Sequence, residues 1–163
     1  MNRSILVSLV IVGVLCASLI WWYGDAQVIK RQSNSLLESL NITGAETRSF
    51  KMLKTNTFTN MLAKSVSCRV DMANYRSQFS YDDLEAQHHL FVNNVDTSSI
   101  KASNMAIEML AFNEAKVSAG LSLAVTGKGR ERFSENCQLT LLWEKTPDGK
   151  WKLTQLEISR AKG

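Results

Sequence analysis

An uninterrupted apolar segment near the amino terminus constrains this chain most strongly. Residues 5–23 read ILVSLVIVGVLCASLIWWY and contain no charged residue and no proline. As a helix, a segment of this length would span about 28 Å, close to the thickness of the hydrocarbon core of a bilayer. The sequence therefore predicts one transmembrane anchor, within residues 1–25, followed by a soluble domain over residues 26–163.

The residues that flank this segment predict how it lies in the membrane. Trp21, Trp22 and Tyr23 stand where an aromatic belt at the membrane interface is expected. Arg3 precedes the apolar run and Asp25 is the first charge after it, so the positive-inside rule favours a cytoplasmic amino terminus. The expected localisation is a single-pass membrane protein with its soluble domain on the extracytoplasmic, periplasmic side.

A cleaved signal peptide is the main alternative for the same segment. Signal peptides have a shorter apolar core and a small-residue cleavage site. Here the run ends in three bulky aromatic residues, and Gly24-Asp25-Ala26 matches the cleavage pattern poorly. The anchor is the favoured interpretation.

Charge and cysteine content exclude several function classes. The 163 residues have a formal net charge of +4, and the densest basic run, residues 128–132, contains an acid. Nucleic-acid binding, which requires a basic stripe, is therefore not expected. The three cysteines form no C-x-x-C pair and only two histidines are present, so neither a metal site nor a cofactor is predicted.

Hydrophobic periodicity predicts helices first and strands afterwards. Residues 26–40 have helical spacing, and a second, irregular helical stretch follows. From Val66 apolar and polar residues alternate, which predicts a strand that continues through Tyr75 to Phe79. Ser80 is expected to cap a further helix, and three alternating segments then lead to a turn at residues 146–149 and a last strand with a bulge near Thr154. This order predicts an α+β domain with helices packed on a curved antiparallel sheet.

Two segments of this pattern resemble the nuclear transport factor 2-like (SnoaL-like, cystatin-like) superfamily. The closing hairpin LTLLWEKTPDGKWKLTQLEI, residues 139–158, and the preceding stretch AIEMLAFNEAKVSAGLSLAV, residues 106–125, carry the resemblance, which extends over residues 33–159. It implies a conical half-barrel with a pocket at its open end. The superfamily includes steroid isomerases, polyketide cyclases, binding proteins and membrane-anchored assembly subunits of secretion machines, so fold alone does not determine function.

The resemblance also bears on the cysteines and on the site. In the family's sheet the last strand separates the strands of Cys68 and Cys137, which implies two free thiols rather than a disulfide. Residues that could enter the family's pocket are Tyr75, Asp71, His88, Glu108 and Trp143.

Each of these residues has a simpler structural explanation. A histidine on an apolar helix face is usually a core residue whose hydrogen bonds are satisfied, and tryptophans commonly fill a core. Carboxylates and tyrosines on strands usually face solvent. No catalytic residue is therefore assigned.

The sequence favours a membrane-anchored, non-catalytic interaction or assembly subunit of a membrane protein complex. Its expected partners are the lipid bilayer, other membrane protein subunits and a second copy of the chain. The alternative is a small-ligand-binding protein, or an enzyme of the isomerase or hydratase type, that uses the half-barrel pocket.

Overall fold

The computed structural model describes residues 10–18, 24–129 and 131–161. Residues 10–18 are helical (α1) and exposed throughout. The predicted interface residues Trp21, Trp22 and Tyr23 lie outside the described residues, as do other parts of the predicted anchor. Among the helices that the structure describes, none combines the length and the apolar character needed to cross a bilayer.

Three helices of the folded domain pack on one side of the sheet. They are α2 (Asp25–Ser39), α3 (Arg48–Asn60) and α4 (Tyr81–Asn94). The predicted cap of α4 is confirmed: the Ser80 hydroxyl accepts the Asp83 N–H, and the Asp83 carboxylate accepts the Ser80 N–H. This reciprocal capping box explains why the chain turns from strand to helix at this point.

Six strands, within the described part of the chain, form one sheet. They are β1 (Leu62–Val70), β2 (Tyr75–Ser80), β3 (Val95–Ala111), β4 (Glu114–Gly127), β5 (Arg132–Lys145) and β6 (Trp151–Arg160), in the order β2-β1-β6-β5-β4-β3. The α+β class and the curved sheet packed on helices agree with the prediction. One expectation was wrong, because β1 and β6 pair in parallel while the other neighbours are antiparallel.

The closing hairpin has the geometry that its sequence predicts. Gly149 has φ +81°, the left-handed conformation that favours glycine after Pro147 and Asp148. The β5–β6 register shifts between Leu142 and Trp143, which leaves Thr154 as the extra residue of a bulge. The bulge explains why the apolar phase of β6 changes there.

A break between residues 70 and 75 is the main local departure from the predicted elements. The single strand expected from Val66 to Phe79 is two antiparallel strands joined by a short 3₁₀ turn, Asp71–Ala73. Asn74 follows with φ 47° and ψ 38°. Asparagine tolerates this left-handed conformation better than most residues, so a hairpin can turn here without glycine.

The inner face of the sheet and α2 enclose the main core. Alternate residues of β4 and β5 point inward and are buried, and they contact the apolar side of α2. Cys68 on β1 and Cys137 on β5 are free thiols with β6 between their strands. Burial raises the pKa of both thiols.

Candidate ligand-binding groove

A surface groove lies between the carboxyl-terminal half of α2, the loop that follows it, and α3. Its cavity volume is about 400 Å³, within the range of roughly 300–1,000 Å³ that is typical of small-ligand sites. Two exposed apolar side chains, Phe50 and Leu53, provide one wall. The other lining residues are polar or charged: Ser35, Glu38, Ser39, Asn41, Thr43, Glu46, Lys54 and Thr57.

A largely buried ion pair between Glu46 and Lys54 lies in this groove. The Glu46 and Lys54 side chains are only 4% and 12% exposed. Glu46 Oε1 accepts the Lys54 ammonium and also the Thr43 backbone N–H, at 3.0 Å. Burial raises the pKa of Glu46, but the hydrogen bonds from Lys54 and Thr43 together lower it by more than burial raises it. The net pKa is therefore below its ordinary value. The carboxylate is therefore charged at neutral pH.

The pair leaves hydrogen-bonding capacity unused. Glu46 Oε2 is buried and has no hydrogen-bond partner in the described chain. An unsatisfied buried acceptor costs about 1–3 kcal/mol. Lys54 donates to Asn41 O and Glu46, which engages two of its three N–H groups. The groove thus combines an acceptor and a donor with the apolar surface of Phe50, whose ring centroid is 4.9 Å from Lys54 Nζ.

His88 connects the three helices behind this groove. Its Nε2 is 3.2 Å from the carbonyl oxygen of Ser39 on α2, and its Nδ1 is 3.0 Å from Thr55 Oγ1 on α3. Because a carbonyl only accepts, Nε2 carries a proton, and in the neutral ring Nδ1 accepts from the threonine hydroxyl, which also lies 3.3 Å from the Lys51 carbonyl oxygen. The ring also stacks on Phe58 at a centroid distance of 4.4 Å.

The environment of His88 keeps the imidazole neutral. Burial lowers its pKa below 6.5, the hydrogen bond to Ser39 opposes this effect, and the neighbouring His89 and Lys54 lower the pKa again. A neutral, fully bonded imidazole between three helices stabilises their arrangement.

The interior of the half-barrel differs from the groove because apolar side chains fill it. Buried apolar residues of α2, β1, β4, β5 and β6 pack together in this core. Ser33 Oγ on α2 and Trp143 Nε1 on β5 are buried polar atoms without a partner in the described chain. The most buried large side chains of the sheet and α2 are Trp143, Ile29, Leu36, Leu139, Leu141 and Leu153.

The five residues predicted for a pocket lie in separate places. Tyr75 at the start of β2 and Glu108 on the outer face of β3 are exposed. His88 is buried among the helices and Trp143 is buried under the sheet. Asp71 is exposed in the 3₁₀ turn and lines a different surface cavity, of about 370 Å³, with Met72, Ser159 and Arg160. The structure does not gather them into one site, and a ligand-binding role for any of them stays a prediction.

Sequence reasoning did not single out Glu46 and Lys54. The start of α3 could be recognised locally, since Thr47 caps this helix by accepting the Phe50 N–H. Glu46 is the residue immediately before this cap. Neither residue is unusual in sequence, however. Only the packing of the loop against α3 buries them together.

Structural comparison relates the domain to solved proteins. A candidate aromatic ring hydroxylase from Novosphingobium aromaticivorans is similar with a TM-score of 0.69 and 12% identity, over 85% of this chain and 90% of that chain. A candidate dehydratase of the nuclear transport factor 2-like family from Streptomyces avermitilis has a TM-score of 0.62 and 14% identity, over 85% and 97%. An uncharacterised protein with a cystatin-like fold from Caulobacter vibrioides has a TM-score of 0.65 and 13% identity, over 85% and 92%.

Sequence comparison adds no closer relationship. No protein-family model matches the chain, and no curated protein sequence matches it. The similar solved structures nevertheless show that the domain has the nuclear transport factor 2-like, cystatin-like fold. At such identities the similarity establishes the fold alone.

Proposed function

We propose that this chain is a membrane-tethered domain that binds a small amine in the groove between α2 and α3. The observation that carries the proposal is the buried Glu46 carboxylate, of which one oxygen is paired and the other has no partner. An ammonium or hydroxyl donor would complete its hydrogen bonds once the neighbouring side chains shift to admit it.

The charges and shape of the groove favour a cation with an apolar part. Its lining includes the acids Glu38 and Glu46 and one base, Lys54, so the formal net charge of the lining is −1. Phe50 and Leu53 are about half exposed and would cover an apolar ligand group. A compact primary amine attached to a ring or a short hydrocarbon meets both conditions.

Titration of the full-length protein in lipid nanodiscs with benzylamine tests this function. The Thr43 amide resonance reports binding, because this N–H donates to Glu46. We expect a saturable shift that Glu46→Gln abolishes and that Glu108→Gln, which changes an exposed glutamate outside the groove, preserves. Benzoate, which has the same ring and the opposite charge, is the matched ligand control. Equal binding of benzylamine to the Glu46→Gln variant would refute the proposal.

An enzyme of the dehydratase or isomerase type is the second candidate, using the half-barrel interior. The buried, unpartnered Ser33 Oγ and Trp143 Nε1 favour it, since a bound substrate could supply their missing partners. Similar folds are named as dehydratases. This candidate predicts that Ser33→Ala weakens ligand binding while Glu46→Gln leaves it intact, which is the reverse of the groove proposal.

The membrane tether is the second part of the proposal. Its support is the uncharged run of residues 5–23 and the fact that residues 10–18 are helical with exposed apolar side chains. A tethered domain is suited to serve as a subunit of a membrane complex, with its amino terminus cytoplasmic and its folded domain on the extracytoplasmic side. Purification from the source membrane in mild detergent tests the subunit role. Stoichiometric membrane partners would support it, and a chain that purifies alone would oppose it.

A further inference from the structure

The tip of the β3–β4 hairpin exposes consecutive apolar residues. Residues 109–112 read Met-Leu-Ala-Phe, and all four are exposed. Met109 is 41% exposed, Leu110 46% and Phe112 86%. Four successive exposed apolar residues on a soluble surface are unfavourable unless another apolar phase covers them. The run forms the end of β3 and the start of the turn, whereas the residue paired with Ala111 on β4 is the acid Glu114, so the apolar surface of the tip lies on its β3 side.

Hydrogen bonds connect this tip to the first residue of α2. The Lys145 backbone N–H donates to Asn113 O in the hairpin turn at 2.8 Å. The Lys145 ammonium donates to Asp25 Oδ1 at 2.8 Å, and Trp151 Nε1 donates to the same oxygen at 2.9 Å. The hairpin tip and the amino terminus of α2 therefore lie at the same end of the domain.

The length of chain before Asp25 indicates what covers the tip. Only Gly24 separates Asp25 from the apolar run of residues 5–23. A linker of one residue spans about 3.8 Å, so a domain tethered through this run cannot leave the membrane surface. The end that carries Asp25, and with it the hairpin tip, faces the bilayer.

We propose that residues 109–112 form a second membrane contact, inserted into the interfacial layer of the same bilayer. This inference rests on the proposed tether. Phe112 and Leu110 would lie among the headgroups and the upper acyl chains, as apolar residues of interfacial segments do. The paired strands near the tip bring the two acids Glu114 and Glu144 opposite each other. Because these acids would repel anionic headgroups, the proposed contact rests on the apolar residues 109–112 and not on anionic lipid.

Fluorescence of a single label on the full-length protein tests the insertion. In a background with Cys16→Ala and Cys68→Ser, Phe112→Cys is labelled with a nitrobenzoxadiazole dye and the protein is reconstituted in phosphatidylcholine vesicles. The matched control is Phe133→Cys, which is 51% exposed near the start of β5, about 40 Å along the strand from Lys145. The background protein without an added cysteine measures any labelling of buried Cys137.

We expect the label at position 112 to shift to the blue and to be quenched by nitroxide-bearing lipids, while the label at position 133 does neither. Flotation of the vesicles in alkaline carbonate tests the tether separately. If the chain floats but both labels report water, the tether stands and the insertion is refuted. If the label at position 112 shifts to the blue but nitroxide-bearing lipids do not quench it, a second copy of the protein covers the tip. That result also refutes insertion. A chain that does not float with the vesicles refutes both.

Discussion

The half-barrel interior and the α2–α3 groove lie on different sides of α2. They differ in the polarity of the side chains that they bury. Under the sheet, α2 contributes Ile29 and Leu36 to a core of large apolar side chains. At its carboxyl-terminal end, the loop after α2 and the neighbouring α3 bury a charged pair, Glu46 and Lys54. The buried charged pair therefore lies in the helical layer and not under the sheet. A similar fold does not guarantee a functional pocket in the same place.

Substitution of Trp143 by alanine should have the largest effect and tests whether the interior is a packed core. Trp143 is fully buried, so its removal leaves a large cavity, and we expect a loss of about 3–5 kcal/mol in the free energy of unfolding. Urea denaturation measures the change. Phe112→Ala, at an exposed aromatic residue, should change stability by less than about 0.5 kcal/mol. A loss below about 1 kcal/mol for Trp143→Ala would mean that the interior is loosely filled.

Removal of one partner of the ion pair should have an intermediate effect. Lys54→Met leaves the Glu46 carboxylate buried and without its main donor, so we expect a loss of about 2 kcal/mol. The double variant Lys54→Met with Glu46→Leu should recover most of this loss, because no buried charge then remains unpaired. Lys64→Met removes an exposed lysine and serves as the control. If the single and double variants are equally stable, the pair is not desolvated in solution.

The smallest effect is a pH dependence that reports on His88. Because its pKa in the folded state is lowered from 6.5, the unfolded chain binds more protons than the folded chain between that lowered pKa and 6.5. Stability should therefore fall as the pH drops below about 6.5, by about 1.4 kcal/mol for each unit by which the pKa is lowered. Thermal unfolding between about pH 7.5 and about pH 5 measures this slope.

His88→Gln should flatten the slope, although it also removes stability at neutral pH. His89→Gln removes one of the smaller causes of the lowered pKa of His88 and should keep most of the slope, because burial is the main cause. A wild-type protein with no loss of stability over this range would show that His88 is not held neutral by burial.

The sequence predicted most of the fold because strand and helix faces are encoded by local periodicity. The alternation in β4 and β5, the capping serine before α4 and the bulge at Thr154 could all be read from neighbouring residues. The break at Asn74 was missed, since a left-handed asparagine leaves no mark in the hydrophobic pattern. The parallel pairing of β1 with β6 was also missed. Strand pairing depends on contacts between segments that are distant in the sequence.

The sequence by itself determined the α+β class, the apolar character of the sheet's inner face and the uncharged run before Asp25. The tertiary structure alone decided which polar side chains are buried together. Glu46, Lys54 and His88 belong to elements whose local patterns are ordinary, and their chemistry arises from desolvation and from partners on other elements. Periodicity indicates which face of an element is covered. Only the packed fold shows which groups lose water at the same place, and that loss of water gives a carboxylate, an amine or an imidazole its specific properties.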